Sequence, residues 1–414
     1  MTPPPVTILG AGIVGICTAL SLVERGASVR IIDAGAPGQE TSYGNAGVIS
    51  PFSIIPQSLP GVWKKIPQMM FSGARPLSVR AAAWPRMVPW GLRFVRQGTE
   101  AGVRSAADAM DMLCAPSIDL YRRHLVGTGS ENLLKDSMYV HAFRDGGRAR
   151  LSDLDYAIRT EKGADLELVG KDELHRIEPA LSPAFEAAIL IKGQARAMSP
   201  GKVGTVLAQK AAEKGVEFVQ DEIRRLSRDE DGWKISCGTH TFHADTVVVA
   251  LGVWSAGLLE PLGLKLPLMA ERGYHVEFPK PQVELNNSIM DMDAKTVSSS
   301  MEGGLRMAGQ AEFAPIDAPL DPRRQKRLET AARTAFPELN IEDSRFWMGR
   351  RPSFPDSLPA IGHVDGLPGL HVNFGHSHHG LMMAPQSGEI LAELIMDGRI
   401  NLDLAALSPE RFET

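Results

Sequence analysis

Apolar positions follow two rhythms along this chain, and the switches between them mark its parts. Val6–Leu9 is a short apolar run, and Gly10–Gly15 breaks it. Ile13–Arg25 then repeats its apolar residues at helical spacing until Gly26 stops it. Ser28–Asp33 is a second apolar strand, so the chain opens as a βαβ unit. Ala34–Pro51 is rich in Gly, Ser, Asn and Pro and predicts an irregular loop. Residues 52–125 turn helical, with Trp63, Met69, Met70, Trp84, Met87 and Trp90 interleaved with basic residues. Strand-like runs follow at Met138–Phe143 and Ala187–Ile191, then a helix at Pro200–Lys214 and a strand at Val216–Gln220. Trp233–Cys237 and Thr241–His243 predict a hairpin, and Thr246–Ala250 an apolar strand. Residues 269–315 return to strands, Asp321–Phe336 is a half-solvated helix, and Pro385–Met396 reads as the closing helix.

Gly10-Ala11-Gly12-Ile13-Val14-Gly15 lies at the strand-to-helix junction. Gly10 permits a sharp turn, Gly12 lets backbone approach a pyrophosphate, and Gly15 lets the helix pack on the strand. Asp33 ends the next strand 21 residues after Gly12, where a carboxylate can accept from both hydroxyls of a ribose. Together these predict a dinucleotide site, without separating FAD from NAD. The fold expected is α/β (α+β overall) in two discontinuous domains. A Rossmann-like domain takes residues 1–50, 199–268 and 340–414. A substrate or cap domain of mixed sheet plus helical insert takes 51–198 and 269–339.

Charge and cysteines narrow the setting. A net charge of −5 and a pI near 6.1 argue against a nucleic-acid partner. Cys17, Cys114 and Cys237 form no framework and have no metal spacing, which fits a reducing, cytoplasmic compartment. Val6–Val23 is 18 residues without a charge. Its glycines and the lack of a basic lead-in favour strand–turn–helix over a membrane span. The helical stretch after residue 52 has two readings. One is a packed cap; the other is a membrane-surface group carrying Arg75, Arg80, Arg86, Arg93 and Arg96, at the inner face of a membrane.

Three further segments carry candidate chemistry. Thr41-Ser42-Tyr43-Gly44-Asn45-Ala46-Gly47 supplies hydroxyls and small residues that suit a cofactor-lining loop. In Arg350-Arg351-Pro352 a planar guanidinium on a fixed backbone suits bidentate capture of a carboxylate. His376, His378 and His379 look like a metal cluster, but no carboxylate or thiol stands at suitable spacing, so no metal is expected.

The chain resembles the flavin-dependent D-amino-acid oxidase and dehydrogenase (DAO) superfamily, in particular the group around the small subunit of bacterial D-amino-acid dehydrogenase. The resemblance rests on Ile8–Asp33, Thr41–Pro51, Pro76–Phe94, Val247–Ser255, Arg272–His275, Trp347–Gly362 and Asn373–Leu394, in that family's order. It implies FAD rather than NAD, held between two domains. It implies cofactor contacts from Gly10, Ala11, Gly12, Ile13, Val14, Gly15, Asp33 and Ala34. Thr41, Ser42, Asn45, Ala46, Gly47, Val48, Ala250, Gly252 and Trp254 are implied likewise, as are Gly380, Leu381, Met382 and Met383. Arg351 matches the family's carboxylate-binding arginine. His378 stands where glycine oxidases place an arginine, and Tyr274 joins these two as a candidate catalytic residue. No cysteine lies near the C-terminus, so the flavin is expected to be non-covalent.

The implied activity is oxidation of the C–N bond of a small amino acid, a D-amino acid first. Hydride passes from Cα to flavin N5, and the resulting imine hydrolyses to a keto acid. N-substituted or cyclic imino acids (opine, hydroxyproline, sarcosine or glycine type) are the alternative. An NAD-dependent dehydrogenase and a non-catalytic FAD-binding protein rank below it. Oxygen, a quinone or a partner protein would take the electrons. Homo- or hetero-oligomers occur among such relatives.

Overall fold

The computed structural model describes residues 5–72, 75–230 and 232–412. The opening motif folds as expected: Val6–Leu9, the helix Ile13–Glu24 and Val29–Asp33, with both strands parallel. They belong to a six-stranded sheet. Its order is Ala360–His363, Leu370–Phe374, Val247–Val249, Val6–Leu9, Val29–Asp33 and Glu217–Gln220, all parallel except the first. The uncharged run from Val6 is therefore a short strand, a glycine turn and most of a helix. The helix buries Ile13 and Gly15 to Leu22 because it lies between that sheet and the C-terminal helix; a helix that is apolar all round needs cover on every side. No helix among the described residues is long and apolar enough to cross a membrane.

A ten-stranded sheet forms the second layer. Its main path runs Arg345–Ser353, Met269–Phe278, Gly304–Phe313, Thr296–Met301, Ser288–Asp291, Leu134–Phe143, Ala187–Ala197 and Val48–Ile49. One face of it packs on its own apolar core with Val140, Tyr274, Val276, Leu305 and Met307. The helix Arg323–Ala335 closes that side, its Leu328 and Ala332 belonging to the same core. The other face carries Tyr139, Met290, Val297, Glu271 and Gly273 into a cavity.

Two expected boundaries move. The sequence pattern groups residues 340–353 with the nucleotide-binding unit, but Arg345–Ser353 pairs antiparallel with Met269–Phe278 and extends the larger sheet. The closing helix begins at Gly380, not Pro385, and runs to Asp397. Pro385 sits inside it and cannot donate to the carbonyl of Leu381. The buried hydroxyl of Tyr121 donates to that carbonyl instead, so the helix tolerates its proline.

Candidate active site

A cavity of about 1260 Å³ opens at the carboxyl ends of the parallel strands, the expected place for a ligand in such a sheet. It runs from Asp33 and Ala34, past Gly12, Ile13, Val14, Thr41 and Ser42, to Glu271, Arg351, His378 and Gly380.

The nucleotide end is built on the glycine turn. Gly10 has φ +116°, and a β-carbon there would stand 2.5 Å from the Ala250 carbonyl oxygen. At Gly15 a β-carbon would lie 2.0 Å from the Gly10 carbonyl oxygen, so the helix can seat only on a glycine. Asp33 is fixed by two amides, Ala11 N–H to Oδ2 and Gly35 N–H to Oδ1, each 2.7 Å. Ser42 Oγ accepts from Ile13 N–H at 3.1 Å. The amides of Gly12, Val14 and Gly15 find no acceptor among the described residues, as at any helix start. Asn45 Oδ1 accepts from Gly47 N–H and shapes the loop, whereas Thr41 Oγ1 donates to the Arg350 carbonyl.

At the other end the closing helix presents Gly380, Leu381 and Met382 to the cavity, and their amides also lack acceptors among the described residues. These two sets of free N–H groups, with the open edge at Gly12 and the acid at Asp33, fit the pyrophosphate, ribose and ring of FAD. Ala46, Val48, Ala250, Gly252 and Trp254 complete the lining. Gly10, Ala11, Gly15, Gly47 and Met383 do not face the cavity. Gly47 (φ +80°) is instead required by the sheet: a β-carbon would meet the Ala197 carbonyl oxygen at 2.7 Å.

Arg351 lies in the cavity wall, its side chain 18% exposed. Its Nη1 donates to Glu271 Oε1 and to the Gln310 carbonyl, both at 3.1 Å. Its guanidinium lies flat against Gly273. Arg350 points elsewhere, with Nε on the Ile316 carbonyl and the guanidinium over the Trp254 ring. Both arginines touch the cavity, but strand alternation turns them apart, and of the two Arg351 is the one that reaches Glu271.

His378 joins the same cluster. Its Nε2 is 2.9 Å from Glu271 Oε1, and its Nδ1 meets the Gln57 side-chain amide. Tyr274 is on the opposite face of its strand from Glu271 and Gly273. It is among the residues lining the cavity, but its ring stacks on Phe346 and its hydroxyl donates to Glu312, so the hydroxyl is already engaged. His376 is buried on Ser387 Oγ, and His379 is half-buried at the helix start. Burial pushes both down to about 3, so both are neutral near pH 7. Among the described residues no group of three His, Cys, Asp or Glu could hold a metal.

The residue missed from sequence is Glu271. It is 1% exposed and joins Arg351, His378 and Ser353. Burial alone would raise its carboxyl, but His378, Arg351 and the Ser353 hydroxyl outweigh that and hold it at about 2. One visible signal existed: Glu271, Gly273, His275 and Glu277 alternate through a strand whose other positions, Arg272 apart, are apolar or aromatic.

Known proteins share this architecture. A D-amino-acid oxidase of Bradyrhizobium diazoefficiens is 34% identical over 415 residues, covering 98% of each chain. L-proline dehydrogenase from P. horikoshii superposes with TM-score 0.77 at 20% identity, over 99% of this chain and 98% of that one. Glycine oxidase from Geobacillus kaustophilus gives 0.74 at 22% identity, over 99% and 98%. Residues 5–394 match the family described as DAO, FAD dependent oxidoreductase. With that match added to the glycine turn and the carboxylate-sized guanidinium site, the chain belongs to the DAO family of FAD-dependent oxidoreductases.

Proposed function

We propose that this enzyme oxidises the C–N bond of a small amino or imino acid, a D-amino acid first, with FAD as a non-covalent cofactor. The observation that carries the reading is Arg351. One of its nitrogens is committed to Glu271 and Gln310, while Nη2 and Nε make no protein hydrogen bond among the described residues. That leaves a planar edge for a substrate carboxylate beside the free amides of the closing helix. FAD, when bound, supplies the two-electron acceptor. The chain's own residues do the rest. Arg351 binds and orients the acid, and Glu271 and His378 hold Arg351 in register. Met69, Met87, Trp90 and Phe94 supply an apolar wall that excludes water. The 34% identical D-amino-acid oxidase supports the D-amino-acid choice.

The test is anaerobic bleaching of the holoenzyme's flavin by D-, L- and N-alkyl amino acids. Reduction by D-amino acids before the others is expected. Bleaching by N-alkyl or cyclic amines alone moves the substrate to imino acids, and a flavin that no amine reduces sinks the proposal.

We also propose that the enzyme sits on an anionic membrane surface, which would bring a membrane-dissolved electron acceptor within reach. In the helix Trp84–Gln97, Trp84, Val88, Leu92 and Val95 form an exposed apolar stripe. Arg86, Arg93 and Arg96 flank it. The opposite side of the helix, through Met87, Trp90 and Phe94, lines the cavity. Co-sedimentation with phosphatidylglycerol vesicles, lost in Leu92→Glu and absent with neutral vesicles, is the expected result.

A further inference from the structure

The cavity holds a second cation that the carboxylate clamp does not use. Lys295 lies in the tight turn joining Ser288–Asp291 to Thr296–Met301, and it lines the cavity. No acid stands within salt-bridge distance of it among the described residues; the cavity-wall cations Arg350 and Arg351 are paired with Glu40 and Glu271. Its backbone is strained, with φ +57°, where glycine or asparagine would sit more easily. Lys295 is exposed at the rim of the cavity, so its ammonium is open to an incoming anion. On a neighbouring strand Tyr139 also lines the cavity, and its hydroxyl has no hydrogen-bond partner among the described residues.

Register sets the distance between the two cations. Arg351's guanidinium covers Gly273 and touches the Gln310 carbonyl. Gly309 pairs with Tyr274 on one side and with Thr296 on the other. Lys295 is therefore two strands from Gly273, at the level of Gln310. At the usual strand spacing that is roughly 10 Å from backbone to backbone. A molecule with two acidic groups a few bonds apart spans such a gap when each group meets its cation.

From this juxtaposition we infer that Lys295 forms a distal anion subsite, and that the preferred substrate is an amino or imino acid bearing a second carboxylate. The inference rests on the amine-oxidation reading for the reaction, but the subsite itself is a binding site and can be read without turnover.

Two measurements on the holoenzyme separate the ideas. Glutarate and glutaramate have no amine, and their binding is followed through the absorbance of the bound flavin. Wild type is expected to bind glutarate roughly threefold to fivefold more tightly, the scale of one solvent-exposed ion pair. In Lys295→Gln that ratio should fall near one, and Lys295→Arg should restore most of it. Equal binding of the two by wild type, or an unchanged ratio in Lys295→Gln, overturns the subsite. The second measurement is flavin reduction by glutamate against glutamine, in D and L forms. The acid should lead by a similar factor in wild type and lose its lead in Lys295→Gln. A flavin that no amine bleaches, in a protein that still discriminates glutarate through Lys295, would refute the reaction and leave the subsite standing.

Discussion

The guanidinium of Arg351 rests directly on Gly273: its Cζ and Nη2 lie 2.1 Å from where a β-carbon on that glycine would stand. The sheet position opposite the clamp therefore has to be bare. Gly273→Ala should push the guanidinium off its seat while keeping strand pairing with Arg345–Ser353. A displacement of about 1 Å at a positioning group can cost on the order of a hundredfold. We expect KM for carboxylate substrates to rise and kcat/KM to fall by roughly tenfold to a hundredfold, with normal flavin content. Steady-state kinetics beside a flavin titration checks it; an unchanged KM would show that the clamp is elsewhere.

If Arg351 binds the substrate carboxylate as proposed, Glu271 competes with that substrate for the guanidinium. Its Oε1 is shared by Arg351 Nη1 and His378 Nε2. Glu271→Gln keeps the shape and removes the charge, so Arg351 becomes freer to attract a carboxylate but less well fixed. The expected signature is a lower KM together with a kcat reduced by about tenfold, the pattern of lost alignment rather than lost affinity. A higher KM with normal kcat would assign Glu271 to holding substrate instead.

The opening of the chain was readable because each of its signals is local. Strand, glycine turn, helix and the acid at Asp33 fall within 33 residues. Arg-Pro is a local signal too, and it singled out Arg351, which strand pairing brings to the cavity wall. Glu271, Lys295 and Tyr139 were not readable, because each acquires its meaning from strands far away in sequence. Glu271 meets Arg351 80 residues later. Tyr139 faces the cavity only because Leu134–Phe143 pairs with Ser288–Asp291. The start of the closing helix was missed for a similar reason. A proline normally marks a helix beginning, and the hydroxyl that lets Pro385 sit inside this one comes from Tyr121, 260 residues from the Leu381 carbonyl it serves.

That hydroxyl gives a stability prediction. Tyr121 is 1% exposed, and without its donor the Leu381 carbonyl is left buried beside a proline that cannot serve it. Tyr121→Phe should cost about 1–3 kcal/mol, the usual penalty for a buried acceptor left unpaired. The closing helix carries the free amides that would meet the cofactor, so flavin should also dissociate more readily. Thermal unfolding and flavin release measured together test both. Adding Pro385→Ala, which supplies a new N–H donor, to the Tyr121→Phe variant should recover part of the loss.

Acid should destabilise the protein before most of its carboxylates protonate, because several histidines are buried neutral; Glu178, which burial raises to about 7, opposes them between pH 7 and 4.5 but is outnumbered. His124 has no hydrogen-bond partner at either ring nitrogen among the described residues. Burial first, then Arg123, pushes it down to about 4, and burial does the same to His371. A folded-state value below the ordinary 6.5 means that the unfolded chain binds more protons between those two limits. Stability then falls as pH drops from about 6.5 to about 4, by up to about 3 kcal/mol for each such histidine. Glu271 works in a lower window: held at about 2 from 4.5, its contribution is present above pH 4.5 and is lost as pH falls toward 2. The holoenzyme's Tm should therefore be level above about pH 7 and decline from about pH 6.5 to about 4. His124→Leu removes one titrating ring without breaking a hydrogen bond, so its decline should be shallower. A wild-type Tm that stays level from about pH 7 to about 5 would mean that these rings reach solvent and protonate without unfolding.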